Sequence, residues 1–262
     1  MKNLIAVVLA VLAAFASPAQ TVDEVVNKYL AAAGGKDKLE NINSLQYVQT
    51  MNLSTGMGDI QIILTQIRVK DKLVRFNTSS ELFGSGFSVV TDTSGWVMMP
   101  ANPMAGTEAT LQKLDADQRK AMQSQMDCEG FFPELVNYAA KGYTAELAGD
   151  AKVSGKPSYK LKLKRDKDER IYFIDKQTGL INSVLYKGAA ALALSGMGNS
   201  GMGNQSKLDK LEITCNFKDY TDVNGVKFPG RMVIETPMGS LESTIGFVTV
   251  NAPVDHKFYR PE

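Results

Sequence analysis

Apolar and polar positions alternate along most of this chain. Leu211, Ile213, Cys215 and Phe217 take turns with Glu212, Thr214, Asn216 and Lys218. A period of two sends the two sets to opposite faces of a strand, one dry and one wet. Asn224-Gly225 then supplies residues suited to the positive φ angles of a tight hairpin turn, and Pro237-Met238-Gly239 marks a second reversal. Residues 208–250 are therefore expected to form three consecutive antiparallel strands. The cleanest alternation is Tyr159, Leu161 and Leu163 against Lys160, Lys162 and Lys164, which makes the lysines the wet face of a strand. Strand-like text also fills residues 45–53, 60–69, 73–78, 83–91, 96–99, 171–175 and 180–186, with turns at Gly56-Met57-Gly58, Asp71-Lys72 and Gln177-Thr178-Gly179.

Helical spacing is confined to two regions. Val22, Val25, Val26, Tyr29, Leu30 and Ala33 recur at the period of an α-helix, with Thr21 as N-cap and Gly34-Gly35 as the stop. Residues 110–126 are polar and helix-forming, and residues 131–140 carry Phe131, Phe132, Leu135, Val136 and Tyr138. They are expected to be two short helices joined near Glu129-Gly130, inside an insertion at about 107–141. Pro133 suits a first helical turn, so Phe131, Phe132 and Leu135 are expected to point at the dry face of the sheet, against the Trp96 and Ile213 strands. A sheet dry on one face must be covered, and this insertion is the cover. No change of composition or Pro/Ser-rich linker divides the chain, so residues 20–262 read as one mainly β domain. The glycine-methionine segment 195–204 reads as a flexible loop between strands.

The first 19 residues have a separate reading. Lys2 precedes an apolar run from Leu4 to Phe15, and Ser17-Pro18-Ala19 places small residues before Gln20. This is the pattern of a secretory signal peptide cleaved after Ala19. The run is short for a membrane span and no other segment approaches that length. Loss of Lys2 leaves 28 basic residues against 28 acidic ones. A neutral mature chain argues against nucleic acid or an anionic membrane surface as the main partner.

Catalytic chemistry is poorly supplied. The single histidine, His256, stands beside Asp255 near the end of the chain and reads as part of a surface tail. Gly196, Gly198 and Gly201 match G-x-G-x-x-G, but no helix-forming text follows them, so a dinucleotide site is rejected. Among the 12 methionines, Met197 and Met202 with Met98, Met99 and Met104 could offer thioethers to Cu(I), yet no histidine or cysteine stands beside them. Pliable apolar lining is the commoner use, and no metal or cofactor is assigned. Trp96 suits either core packing or the lining of a ligand cavity. Cys128 and Cys215 could meet, since one lies in the cover and the other shares the parity of the dry face. They could equally pack as small free thiols.

Several stretches together resemble the LolA-type lipoprotein-sorting family. They are Ala32-Ala33-Gly34-Gly35-Lys36-Asp37-Lys38-Leu39, then Gly95-Trp96 after Thr93-Ser94, and Val153-Ser154-Gly155-Lys156-Pro157. Tyr172-Phe173-Ile174-Asp175 with Thr178-Gly179-Leu180, Val223-Asn224-Gly225-Val226 with Pro229, and Val250-Asn251-Ala252-Pro253-Val254 complete the series. The resemblance implies an incomplete, strongly curved antiparallel β-barrel with helices plugging its concave face. On that reading Ile62, Leu64, Phe87, Val89, Trp96, Met98, Leu161, Phe173, Ile213, Met232 and Ile245 line the cavity. Phe131, Phe132 and Leu135 form the lid, and Arg75 holds it. The expected function is that of a periplasmic, monomeric, non-enzymatic carrier or sensor whose partner is a lipid or lipidated protein. The alternative is an interaction module whose cavity is filled by its own side chains.

Overall fold

The computed structural model describes residues 20–55, 58–101, 106–123, 125–166, 168–188, 191, 211–236 and 239–261. Residues 1–19, read above as a leader, and residues 192–210, which contain the whole glycine-methionine segment 195–204, lie outside the described residues, as does Met104. Helix α1 (Val22–Ala33) opens the described chain, followed by the short α2 (Lys36–Glu40). The strands are β1 (Ser44–Thr55), β2 (Gly58–Val69), β3 (Leu73–Ser80), β4 (Gly84–Thr91), β5 (Gly95–Met99) and β6 (Thr110–Lys113). Helix α3 (Ala116–Gln123) and a 3-10 turn (Pro133–Leu135) come next. Then follow β7 (Thr144–Val153), β8 (Lys156–Arg165), β9 (Asp168–Asp175), β10 (Ile181–Gly188), β11 (Glu212–Lys218), β12 (Thr221–Val223), β13 (Val226–Phe228), β14 (Arg231–Thr236) and β15 (Gly239–Val250).

Among the described residues one 13-stranded antiparallel sheet takes all strands but two, in the order β6-β5-β4-β3-β2-β1-β15-β14-β11-β10-β9-β8-β7. Its edges, β6 and β7, do not pair with each other, so the barrel is incomplete. Register shifts between Gln46 and Val48, Leu147 and Asp150, and Ile181 and Ser183 bend the strands and help curl the sheet. The Asn224-Gly225 turn forms as expected, with φ of 54° and 79°. It joins β12 to β13, which make a separate two-stranded ribbon, so β11 pairs with β14 across this excursion.

Helix α1 lies in the concave side. Thr21 caps it through a reciprocal pair: its hydroxyl accepts from the Glu24 amide at 3.2 Å, and its own amide donates to Glu24 Oε2 at 2.9 Å. Val25, Val26, Tyr29, Leu30 and Ala33 are buried in the main core with Leu161, Tyr172, Ile174, Cys215, Phe217 and Phe228. Gly34 ends the helix at φ 132°, where a Cβ would stand 2.4 Å from the Gly225 carbonyl. Only glycine permits that approach of the helix end to the ribbon.

The insertion is less helical than its composition suggests. Residues 110–113 extend the sheet as β6, because β5 offers an unpaired edge with which Thr110, Leu111, Gln112 and Lys113 pair. Between residues 131 and 141 only Pro133–Leu135 is helical, and as a 3-10 turn. Asn137, at φ 54°, and Gly142, at φ 80°, break any continuation. Among the described residues no helix is long and apolar enough to cross a membrane.

Candidate functional site

Cross-strand register divides the sheet into two faces. On the concave face, Tyr47 of β1 stands opposite Gln66 of β2, which stands opposite Phe76 of β3. Further along, Gln49 pairs with Leu64 and Met51 with Ile62. From β15 and β14, Ile245 and Met232 join the same face. Over its middle part this face is filled by rings. Phe132 has centroid distances of 5.0 Å to Phe131, 5.0 Å to Phe217, 6.0 Å to Tyr172 and 6.1 Å to Tyr29. All four contacts are edge-on, the arrangement that ring quadrupoles favour. Phe131 reaches Tyr47 at 5.9 Å and stays only partly buried, at the margin of this plug.

Ion pairs tie the loop carrying these rings to the sheet. Glu134 accepts from Arg170 Nη1 at 2.6 Å and from the Tyr172 hydroxyl. Arg170 in turn grips Asp168 with Nε at 2.9 Å and Nη2 at 2.7 Å. Glu129 meets Lys70 at 2.7 Å and Lys141 at 3.2 Å, and Lys141 also meets Asp127 at 2.9 Å. Arg68 Nη1 donates to the Asp127 carbonyl at 3.2 Å. Burial pushes both Glu129 and Glu134 toward the neutral form. The Lys70 hydrogen bond with the Lys141 charge, and the Arg170 charge with the Tyr172 hydroxyl, outweigh it and hold the two carboxyls below their usual range. Tyr138 adds a tie to α1, donating to Asp23 at 2.8 Å.

Beyond the plug the concave face stays apolar but thinly covered. Met51, Ile62 and Leu64 are half-exposed, and with Ile60 they belong to none of the three apolar clusters of the described residues. On the adjoining strands this surface borders the buried core residues Met232 and Ile245, with Leu241 packed against them. Gln49 crosses it, donating to the Ser243 hydroxyl at 2.8 Å.

No protein-family model matches the sequence, and no curated protein matches it. Solved structures do match. A LolA superfamily protein from Nitrosomonas europaea superposes with a TM-score of 0.57 at 10% identity, over 92% of this chain and 98% of that one. A DUF1329 family protein from Desulfovibrio piger gives 0.56 at 11% identity, over 92% and 97%. A domain assigned as an outer membrane lipoprotein-sorting protein, from Vibrio parahaemolyticus, gives 0.52 at 11%, over 90% and 94%. The fold is LolA-like.

Within this LolA-like fold the expected cavity residues separate. Ile62, Leu64, Leu161, Ile213, Met232 and Ile245 share the concave face. Phe87, Val89, Trp96 and Met98 do not. They lie with Ile67 and Leu73 on the opposite face, under Val254, Phe258 and Tyr259 of the C-terminal segment. Phe173, opposite Lys160 and Ser183, is also on the outer face. On the concave side of the same strands, Val74 and Val90 are covered instead by Leu114, Met122 and Met126 of the insertion.

Arg75 is likewise placed differently from expectation. Its Nη1 donates to the carbonyls of Phe258 at 3.2 Å and Arg260 at 2.7 Å, its Nε donates to Asn77 at 2.7 Å, and its guanidinium lies 4.5 Å from the Phe87 ring centre. It clasps the C-terminal segment, while Arg68, Lys70 and Arg170 take the loop. Arg68 lies within the strand-like stretch 60–69, while Lys70 and Arg170 stand just outside such stretches, and none of the three carries a motif. Phe131, Phe132 and Leu135 do face the β11 side of the core. Cys128 and Cys215 are both buried and both free, so no bridge joins insertion and sheet.

Two clefts of about 320 and 370 Å³ open elsewhere. The first runs between Ser44, Val69 and Tyr259, the second between Lys38, Ile42 and Val226, and both touch Asn251. Asn251 is spent on structure there, accepting from the Asn43 amide at 2.7 Å and donating to the Asn41 carbonyl at 3.1 Å.

Proposed function

We propose that this protein is an exported, non-enzymatic carrier or sensor that takes an apolar chain, an acyl chain of a lipid or of a lipidated protein, onto the concave face of its sheet. The observation that carries the reading is the apolar surface formed by Met51, Ile62 and Leu64, half-exposed beside the Phe131 margin. Each methylene buried there is worth about 0.8 kcal/mol, so a long chain binds without specific polar chemistry. The leader at 1–19 and the formally neutral mature chain support a periplasmic address and an uncharged driving force. The lipoprotein-sorting assignment of the Vibrio domain supports the class of cargo by likeness of fold.

A second reading is favoured by the ring plug. Phe132, Phe217, Tyr172 and Tyr29 occupy the middle of the concave face themselves, as expected of an interaction module with a filled interior. Native mass spectrometry of protein purified without detergent separates the two. A mass excess that vanishes on organic extraction, and re-uptake of a fluorescent acyl probe by the stripped protein, are the results the carrier reading expects. Protein that arrives at its sequence mass and takes up no probe supports the filled module.

A further inference from the structure

On β2, the inward positions past Leu64 are Gln66 and Arg68, a polar pair where the apolar surface runs in beneath the loop. Gln66 is 4% exposed, and its Oε1 has no hydrogen-bond partner. The Nε of Arg68 is buried and also without one, although Nη1 of the same guanidinium reaches the Asp127 carbonyl. Buried polar atoms are nearly always satisfied, so two orphans on one face of one strand require an explanation. Alternate residues on a strand are about 7 Å apart, a separation that one small polar group can bridge.

The charges nearby identify the missing partner further. Lys70, Lys141, Glu129 and Asp127 satisfy one another, while no ion pair engages Arg68 among the described residues. The Arg68 charge is also felt by the groups around it. Burial raises the pKa of both the Tyr47 hydroxyl and the Cys128 thiol, and the Arg68 charge works against it at each. The orientation of an amide follows from its hydrogen bonds, and an orphaned Oε1 fixes neither. Turned over, Gln66 presents Nε2 on the same strand face as Arg68 Nε, which gives two donors for the two oxygens of a carboxylate.

We propose that Gln66 and Arg68 form a head-group site at the inner end of the apolar surface on the concave face, and that the chain bound there ends in a carboxylate: a free long-chain fatty acid. This rests on the carrier reading above and narrows its cargo. Phe131 and the loop at Asp127 overlie the site, so a head group reaches it only as that loop lifts.

The experiment compares palmitate, methyl palmitate and hexadecyl phosphate on the mature protein at pH 8, by displacement of a neutral fluorescent acyl probe. Palmitate is expected to bind at least about tenfold more tightly than its methyl ester, the scale of a hydrogen bond to a charged group. Arg68→Met should bring that ratio to within about twofold, and Gln66→Leu should lower it severalfold. The readout is the ratio between ligands, so it survives a general loss of affinity in either variant. If Arg68→Met does not fold, Gln66→Leu and the wild-type ratio still decide. Equal binding of acid and ester by wild type overturns the head-group site and leaves the carrier reading standing. Tighter binding of the phosphate than of palmitate overturns the carboxylate assignment. Failure of all three ligands to displace the probe removes the carrier reading with it.

Discussion

Glu134 and Arg170 meet at 2.6 Å across the gap between the loop and β9, tying cover to sheet. The Glu134 side chain is 9% exposed and that of Arg170 21%. Removing one member of such a pair leaves the other charge stranded, at a typical cost of about 3–5 kcal/mol. Glu134→Gln is expected to fall near the lower end, about 3 kcal/mol, because Arg170 keeps Asp168 as a partner. Urea denaturation of the variant against wild type measures it.

The same pair sets an acid limit. Glu134 and Glu129 both have folded pKa values below their ordinary range. A depressed carboxyl contributes stability that is fully present above the unfolded value, about 4.3 for glutamate, and is lost as the pH falls through the folded value. The protein should therefore hold its stability from neutrality down to about pH 5 and lose it progressively below pH 4.3. In Glu134→Gln that acid-side slope should be shallower. An identical slope in the variant would mean that other carboxyls govern acid unfolding.

The cysteines give a chemical prediction. Burial pushes each thiol up to about 12, with no cation close enough to reverse it at Cys215 and only partial opposition from Arg68 at Cys128. Neither should react with iodoacetamide in the folded protein at pH 8, since the thiolate is the reactive form. Both should react after denaturation without reductant. Recovery of unmodified, denatured protein would show a bridge and contradict the free state of the structure.

Phe247 sits at φ 51° in the interior of β15 and is 87% exposed. A bulky side chain in the left-handed region costs about 1–2 kcal/mol, and here no burial offsets it. Asparagine tolerates that conformation. Phe247→Asn is expected to leave the melting temperature unchanged or raise it by a few degrees. A clear fall in melting temperature would mean that the exposed ring contributes packing.

How much of this was legible in the sequence depends on which side of each strand is wet. Around β8 and β11 one face carries Lys160, Lys162, Glu212 and Lys218, so the period of two placed Leu161 and Ile213 on the concave face. On β4 and β5 both faces are covered, one by Phe258 and Tyr259 and the other by Leu114 and Met122. Val89-Val90 and Trp96-Val97-Met98 then put apolar residues at both parities, and the faces cannot be assigned from them. The partner of Arg75 was illegible for a related reason: its ligands are the carbonyls of Phe258 and Arg260, which any residues there would have supplied. Arg68, Lys70 and Arg170 lacked any motif because their acceptors in the loop lie 36 or more positions away in the chain.

The location of the cargo is the central claim, and the single tryptophan makes it measurable. Trp96 lies on the outer face under the C-terminal segment, and Leu64 on the concave one. The measurement is quenching of tryptophan emission by a long-chain acyl methyl ester brominated along its tail, in wild type and in Leu64→Trp combined with Trp96→Phe. The ester is predicted to quench the tryptophan at position 64 saturably and to leave the wild-type Trp96 emission unchanged. Saturable quenching of Trp96, with none at position 64, would place the ligand on the wrong face and contradict the account.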